Sequence, residues 1–206
     1  HHADVGGISP GSMPANSRHI DQEGCRSDGL LIVRDGRLLE AEIRAWLNSN
    51  MQPARNPDQN LADLAAQVAA NTLGERQLRQ LENEVGAAAI AAYMGFVQDN
   101  AEAAVKRLLS KLHGGAYTLP LDDGSRIAVA IDIDATGQRA RIDFSGSSTQ
   151  QPGNLNAPAS IVHSAVLYVF RTLIDADIPL NAGVMRPLDI VLPAGCMLNL
   201  SLIHIS

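Results

Sequence analysis

The sequence predicts an α+β fold in which the helices and the strands are grouped along the chain. Apolar residues recur every three to four positions through two long stretches, Pro57 to Val85 and Ala87 to Leu112, which predicts two helices. Three segments with apolar residues at every second position follow, which predicts consecutive antiparallel strands. Because the helices cluster instead of alternating with single strands, an α+β fold is favoured over a doubly wound parallel sheet.

Composition excludes several classes of protein. The 206 residues are 46% hydrophobic and 18% charged, which is typical of a chain with a packed core and not of a disordered or fibrous one. Aromatic residues make up only 3%, so the core must be aliphatic. The net charge of −6 argues against nucleic acid as a partner, since phosphate binding needs a basic face. Apolar runs stay short of the roughly 18 residues that a membrane span requires, and a cytoplasmic protein is expected.

The first 49 residues predict a shaped loop, a hairpin and a short helix. Residues 1–28 are rich in Gly, Ser, Pro and Asp and show no regular period, and a loop of this length inside a domain is usually functional or disordered. Asp35-Gly36 between the apolar runs of residues 29–39 indicates a tight hairpin turn. Residues 40–49 predict a helix with Ile43, Trp46 and Leu47 on one face.

The two long helices are expected to form an antiparallel helical hairpin. Asn56 is a good N-cap, and Pro57 is tolerated at the first helical position. Gly74 and Gly86 are candidate interruptions, and Gly114-Gly115 is expected to end the second helix. The apolar stripes fit either an intramolecular core or a coiled-coil partner surface.

The second half of the chain predicts an antiparallel sheet, then a further helix and a strand. The strands are expected at 116–121, 126–134 and 138–144, with turns between them. Asp132, Asp134 and Asp143 fall on or near the exposed face, where they are either a metal-binding cluster or a solvated strand edge. A polar loop at 145–158 precedes a helix from 159 to 174 and a strand from 188 to 192.

The N-terminal loop holds the richest set of chemically active side chains. His1, His2, Asp4 and His19 lie within 19 residues, and imidazoles with a carboxylate suit Zn, Mn or Fe. The alternative is that His1-His2 is a tag remnant or frayed terminus and His19 an ordinary surface histidine. The chain lacks the G-x-S-x-G serine elbow and the Walker phosphate loop, and Cys25 and Cys196 form no paired-cysteine motif. Serine-nucleophile chemistry, a disulfide framework and a thiolate zinc site therefore have little support.

Five blocks in sequence order resemble the hydantoinase B/5-oxoprolinase family. This family includes the B subunit of N-methylhydantoinase, the C-terminal half of 5-oxoprolinase and subunits of acetone and acetophenone carboxylases. The resemblance covers about residues 1–199. It is carried by HHADVGGISPGSMP with HIDQEG, LLIVRDGRL, RNPDQNLADLAAQVAAN, IDFSGSSTQQPGNLNAP and DIPLNAGVMRPLDIVLPAGCMLN.

The resemblance implies a metal site and a catalytic role for the N-terminal loop. His1 and Asp4 match the family's His-x-x-Asp pair, and His19 matches its downstream histidine, so His1, Asp4 and His19 are the implied ligands of a divalent Mn, Zn or Fe ion. Asp4 and His2 are the implied catalytic residues. Ser145, Asn154 and Asn156 in the 145–158 loop are the candidates for substrate binding, although Asn and Ser also favour turns.

The implied activity is ATP-dependent hydrolysis of a cyclic amide. A hydantoinase A-type ATPase subunit or fused domain would use the ATP, the substrate would be a small lactam or hydantoin, and the assembly would be an oligomer. The alternatives are a subunit of an acetone-type carboxylase and an assembly module whose helices dock the ATPase. Residues 1–199 are expected to be an internal part of a longer enzyme, and residues 200–206 a non-native tail.

Overall fold

The computed structural model describes residues 3–12, 14 and 16–200, so the predicted tail at 200–206 lies outside it except for Leu200. This part of the chain is α+β, as predicted. The α-helices are α1 (Glu40–Leu47), α2 (Pro57–Val85), α3 (Ala87–Leu109) and α4 (Ala159–Leu173). The strands are β1 (Val33–Arg34), β2 (Arg37–Leu38), β3 (Gly115–Pro120), β4 (Arg126–Ile133), β5 (Ala140–Asp143) and β6 (Leu188–Val191). No described helix combines the length and the apolar character needed to cross a bilayer.

The described chain divides into two compact units. The first contains the residues up to Glu84 together with Pro152–Asn154, and the second contains most of the remainder. Each unit has its own apolar core. Ile43, Leu47, Ala54 and Leu61 form the small core of the first unit, and α3, α4 and the larger sheet enclose the core of the second.

The first unit is built on the predicted hairpin and the short helix that follows it. β1 and β2 pair antiparallel through Val33 and Leu38, and the turn residues Asp35 and Gly36 have φ angles of 51° and 75°. Two successive positive φ angles are what a tight hairpin turn of the Asp-Gly type requires. On α1, Ile43 and Leu47 lie one turn apart and are both fully buried. The hairpin turn and the apolar face of α1 are therefore confirmed.

The two long helices are confirmed, but much of their apolar stripe is exposed. Gly86, with φ of 85°, separates α2 from α3, whereas Gly74 does not interrupt α2. On α2 the buried residues are Asn60 and Leu61, and α3 is buried only towards its C-terminal half. The burial expected of a hairpin core is therefore not observed along the exposed residues Leu73, Leu78, Leu81, Tyr93, Met94 and Phe96.

Local pairs support the exposed part of α2. Arg79 pairs with Glu75, and Gln80 donates a hydrogen bond to Glu84, each over four residues. Such pairs stabilise an exposed helix by about 0.2–0.5 kcal/mol each. The helical periodicity thus predicted the secondary structure correctly, but it did not predict that these apolar side chains are exposed.

The second unit contains a four-stranded sheet in the order β3-β4-β5-β6. The first three strands pair antiparallel, as their alternation predicts, and Ile127, Val129, Ile131 and Ile133 pack against the core. The further strand, β6, for which no pairing was predicted, joins this sheet parallel to β5, with Ile142 opposite Ile190. Parallel pairing needs a long crossover, and α4 lies within the connection that supplies it.

Two serine hydroxyls extend the hydrogen bonding of β4 beyond the end of β5. The Ser147 hydroxyl donates to the carbonyl oxygen of Ala128 and accepts from its N–H, both at 3.0 Å. The Ser148 hydroxyl accepts from the N–H of Arg126 at 2.9 Å. In the SGSS sequence that follows β5, the two serine hydroxyls therefore take the place of the backbone groups of a paired strand.

Replacing Ser147 by alanine is expected to destabilise the second unit by about 1–3 kcal/mol, because it removes both partners of the half-buried Ala128 peptide groups. The measurement is the free energy of unfolding in urea. Ser164→Ala is the matched control, since that exposed hydroxyl bonds back to the carbonyl of Ser160 in its own helix. Equal stability of the two variants would contradict the role of Ser147.

The segment before β6 packs directly on α3. A short 3-10 turn, Ala182–Met185, begins at Asn181, whose side chain accepts a hydrogen bond from the N–H of Gly183 at 2.8 Å. Arg186 then reaches back to α3 and binds Asp99 at 2.7 Å and Glu102 at 3.3 Å. The NAGVMRP block, quoted above for its resemblance, therefore has a structural role in joining β6 to α3.

Candidate functional site

The N-terminal loop is held between two other segments of the first unit. Backbone hydrogen bonds run from the N–H of Gly7 to Gln52 at 2.9 Å, from Ile8 to Gln22 at 2.8 Å and from Cys25 to Val5 at 2.9 Å. The loop thus adds to two neighbouring segments as a strand would. It is shaped and fixed in position, as its Gly and Pro content indicated.

Gly6 and Gly7 are required by this close fit. Their φ angles are 98° and 87°, which L side chains rarely adopt. A Cβ atom on Gly6 would lie 2.1 Å from the carbonyl oxygen of Gln52, and one on Gly7 would lie 2.5 Å from that of Gln22. The two glycines therefore allow backbone to approach backbone on both sides of the loop.

Asp4 is the organising side chain of the loop. Its two carboxylate oxygens accept hydrogen bonds from the N–H groups of Gly6 and Gly11, both at 3.0 Å. Arg55 donates from one guanidinium nitrogen to both oxygens, at 2.9 and 3.2 Å, and from another to the carbonyl of Gly7 at 2.7 Å. Asn60, on the first turn of α2, donates to the Asp4 carbonyl at 3.1 Å.

These contacts keep Asp4 ionised. Burial raises the pKa of its carboxyl group, but the N–H groups of Gly11 and Gly6 and the guanidinium of Arg55 together hold the pKa below its ordinary value. The group is a carboxylate at neutral pH. It can therefore accept hydrogen bonds or ligate a cation, and it is unsuited to donating a proton as a general acid.

The remaining predicted metal ligands are only partly within the described chain. His1 and His2 lie outside it, so their predicted roles stay predictions. The imidazole of His19 is exposed at the start of a 3-10 turn, Ile20–Gln22. Among the described residues, no three His, Cys, Asp or Glu side chains are grouped as a metal ion would require.

The donor chemistry of Asp4 nevertheless fits a divalent cation. A carboxylate that is ionised and oriented by two backbone N–H groups is a suitable oxygen ligand, and histidine at positions 1 and 19 would supply nitrogen. Arg55 contacts both carboxylate oxygens and so fixes their direction.

The candidate substrate-binding residues have different surroundings. The Asn154 amide donates to the carbonyl of Pro14 at 2.8 Å, which joins the tip of the 145–158 loop to the N-terminal loop. The Asn156 amide exchanges hydrogen bonds with the backbone of Gln151, at 2.8 and 2.9 Å. Ser145 is exposed and donates its N–H to Asp143 at 2.8 Å. Asn154 therefore contacts the N-terminal loop.

Two of the three aspartates on or beside β4 and β5 have local partners. Asp134 accepts from the N–H of Gln138 at 2.7 Å and from Thr136, which closes the turn between the two strands. Asp143 accepts from Ser145, and its hydrogen bonds to Ser145 and the nearby Arg141 lower its pKa. Asp132 is exposed. Within the described chain these three aspartates do not form a group of the kind that could hold a metal ion.

A cleft in the first unit adjoins the N-terminal loop. Its volume is about 530 Å³. Asn50 connects two segments at this cleft, because its amide donates hydrogen bonds to the carbonyls of Asp21 at 2.9 Å and Gly24 at 2.8 Å. Ile8 and Gln52, which take part in the loop's backbone contacts, line it as well. The other lining residues are Asp21, Gln22, Cys25, Arg26, Ser49, Asn50 and Met51.

Arg55 and Asn60 were not among the predicted site residues. Arg55 begins the RNPDQN block quoted above for its resemblance and lies next to the N-cap signal of α2, but no role in the site was predicted for it. One signal could have identified Arg55. It is an arginine just before a capped helix, in a chain whose glycine-rich loop contains an isolated aspartate with which the arginine could pair. That pairing spans 51 residues, a separation that no periodicity reports.

Comparison with known proteins finds relatives of this chain in sequence and in fold. The family model described as hydantoinase B/oxoprolinase matches residues 1–202. A 5-oxoprolinase from Dictyostelium discoideum is 40% identical over 208 residues, which is 97% of this chain and 16% of that protein. The chain therefore spans about one sixth of the length of this curated relative.

Two solved structures share the fold. The ATP-dependent caprolactamase from Pseudomonas jessenii superposes with a TM-score of 0.75 at 25% identity, over 96% of this chain and 34% of that one. A nucleotide-free acetone carboxylase superposes with a TM-score of 0.73 at 18% identity, over 97% of this chain and 28% of that one. With the family model matching nearly every residue, the chain belongs to the hydantoinase B/oxoprolinase family.

Proposed function

We propose that this chain is part of an ATP-dependent hydrolase that opens a small cyclic amide, of the 5-oxoprolinase or hydantoinase type. The observation that carries the proposal is the ionised, tightly held Asp4 in the glycine loop of a chain that is 40% identical to a 5-oxoprolinase. The likeness to an ATP-dependent caprolactamase, which is named for a cyclic amide, supports the same reaction class.

The chemistry explains why ATP is needed. The carbonyl carbon of an amide is a poor electrophile, because the nitrogen lone pair is delocalised onto the oxygen. Transfer of the γ-phosphoryl group to that oxygen, by a hydantoinase A-type ATPase subunit or domain, would make the carbon reactive towards water. This region would hold the activated ring while water adds to the carbon and the carbon–nitrogen bond breaks, with a proton passing to the nitrogen. A second water would then hydrolyse the resulting acyl phosphate to the carboxylate and inorganic phosphate.

In this proposal the N-terminal loop supplies the charged end of the site. His1, Asp4 and His19 would hold a divalent Mn, Zn or Fe ion, which would supply Lewis acidity or a hydroxide near neutral pH. The chain's own contribution is to keep Asp4 ionised and oriented, through the N–H groups of Gly6 and Gly11. His2 is the further catalytic candidate, and Ser145, Asn154 and Asn156 are the candidates for holding the ring.

Replacing Asp4 by asparagine in the intact enzyme is expected to lower ATP-dependent ring opening at least about 100-fold, which is the scale of losing a central charged group of a site. Bound metal, measured by elemental analysis, should fall in parallel. The matched control is Asp58→Asn, since Asp58 pairs with Arg44 on the surface at 2.6 Å. Undiminished turnover in the Asp4 variant would rule out this loop as the catalytic site.

The same preparation separates the two other candidate functions. An acetone-type carboxylase would hydrolyse ATP in the presence of a ketone and bicarbonate, and the likeness to acetone carboxylase at 18% identity supports the fold alone. An assembly module would lose co-purification of the ATPase when its docking surface is changed, without a local role for Asp4. The 40% identity to a 5-oxoprolinase favours the hydrolase.

A further inference from the structure

Arg55 connects two residues of the N-terminal loop, Asp4 and Gly7. One guanidinium nitrogen contacts both oxygens of Asp4, at 2.9 and 3.2 Å, and another donates to the Gly7 carbonyl at 2.7 Å. A planar guanidinium fixes the direction of both contacts, which a lysine ammonium acting as a point charge cannot do. The arginine therefore sets the orientation of the Asp4 carboxylate relative to the Gly7 peptide.

The backbone that carries Arg55 is itself anchored. Ala54 is buried, and its N–H donates to the carbonyl of Leu47 at 2.9 Å. On the other side, Asn60 is buried and donates to the Asp4 carbonyl. Arg55 and Asn60 therefore bind the N-terminal loop from a backbone segment that is itself held in place.

The contacts of Arg55 differ from those of an ordinary surface ion pair. Arg44 and Asp58 in the same unit also pair closely, at 2.6 Å, but Asp58 is 79% exposed and belongs to no loop network. Asp4 is only 25% exposed and already accepts two backbone N–H groups. Losing Arg55 therefore changes the geometry of a shared network and not just one contact.

We propose that Arg55 is a positioning residue for Asp4, and that it acts by holding the Asp4 carboxylate and the Gly7 carbonyl in a fixed relation. The catalytic consequence rests on the proposed function. The structural consequence, that the order of the loop depends on the Arg55 guanidinium, is independent of the proposed function.

The first arm of the test measures the loop itself in the intact enzyme. Hydrogen exchange is followed in the peptide covering residues 4–11 for Arg55→Lys, Arg55→Ala and the control Arg44→Ala. We expect exchange at this peptide to speed up at least about 10-fold in the Arg55→Ala variant and to stay unchanged in the control, since local opening frees the Gly6 and Gly11 amides. Unchanged exchange in Arg55→Ala would overturn the proposal.

The second arm measures turnover of 5-oxoproline and ATP by the same variants. We expect kcat to fall about 10–100-fold with a smaller change in KM, the range seen when a supporting hydrogen bond to a site residue is lost. Added guanidinium ion should restore part of the activity of Arg55→Ala and none of that of Asp4→Ala, and Arg55→Lys should not match the wild-type enzyme. Full activity of Arg55→Lys, or a kcat loss that guanidinium does not repair, would overturn the positioning role.

The two arms of the test distinguish failure of the proposed function from failure of the role proposed for Arg55. An intact wild-type enzyme that opens no cyclic amide contradicts the proposed function, and hydrogen exchange then still decides whether Arg55 orders the loop. A wild-type enzyme with full activity and a loop insensitive to Arg55 contradicts this inference alone.

Discussion

Replacing Gly183 by alanine is expected to unfold or severely destabilise the second unit. A Cβ atom at this position would lie 2.0 Å from the carbonyl oxygen of Gln98, and its other near neighbours are also backbone atoms of Gln98. Backbone of a helix cannot move aside as a side chain can, so the 3-10 turn must separate from α3. Overpacking typically costs about 1–3 kcal/mol, and a clash with backbone should reach or exceed the upper end.

The clash would also weaken the contacts on either side of the turn. Arg186 reaches Asp99 and Glu102 only while Gly183 lies against α3. Pro187, which is fully buried, leads directly into β6. Separation at Gly183 would therefore loosen the parallel edge of the sheet as well.

The measurement is the thermal inactivation temperature and the yield of soluble intact enzyme. Gly95→Ala is the matched control on the same helix, because nothing lies within 4 Å of a Cβ atom there. In a helix interior that change should stabilise by up to about 1 kcal/mol. The two substitutions are thus expected to have opposite signs, and a Gly183→Ala enzyme as stable as Gly95→Ala would show that the close approach is not present in solution.

How far the fold follows from the sequence differs between its elements. Local chemistry predicted the Asp35-Gly36 turn, the start of α2 at Pro57 and the three antiparallel strands, since each depends on neighbouring residues. The parallel pairing of β6 could not be predicted this way, because the alternation of residues in a strand is the same for either direction. The exposure of the α2 and α3 stripes depends on surfaces elsewhere, which periodicity does not report.

The residues of the candidate site also differ in how far the sequence predicts them. Asp4 stood out because an aspartate in a glycine loop near histidines is unusual, and the structure places it at the centre of a network. Arg55 did not stand out, because its partner lies 51 residues away and only the folded chain brings them together. The resemblance to a known family supplied roles for His1 and His19 that their spacing alone did not.

Replacing Gly6 by alanine is expected to abolish the activity of the intact enzyme. The added Cβ atom would lie 2.1 Å from the carbonyl oxygen of Gln52, at a φ of 98° that already disfavours an L side chain. The loop would have to leave its place between the segments at Gln22 and Gln52. Asp4 accepts the Gly6 N–H, so its carboxylate would move with the loop. A misplacement of about 1 Å at a catalytic group can cost about 100-fold in rate.

Gly11→Ala separates the clash from the backbone strain. Gly11 also has a positive φ, 81°, and its N–H also binds Asp4, but nothing lies within 4 Å of a Cβ atom there. Strain at a left-handed position alone costs about 1–2 kcal/mol, so Gly11→Ala should keep measurable turnover. Both variants are compared for kcat and for hydrogen exchange of the loop peptide. If Gly6→Ala and Gly11→Ala lose activity equally, strain and not the contact with Gln52 controls the loop. If only Gly6→Ala is inactive, the close packing of backbone on backbone is what holds Asp4 in its catalytic position.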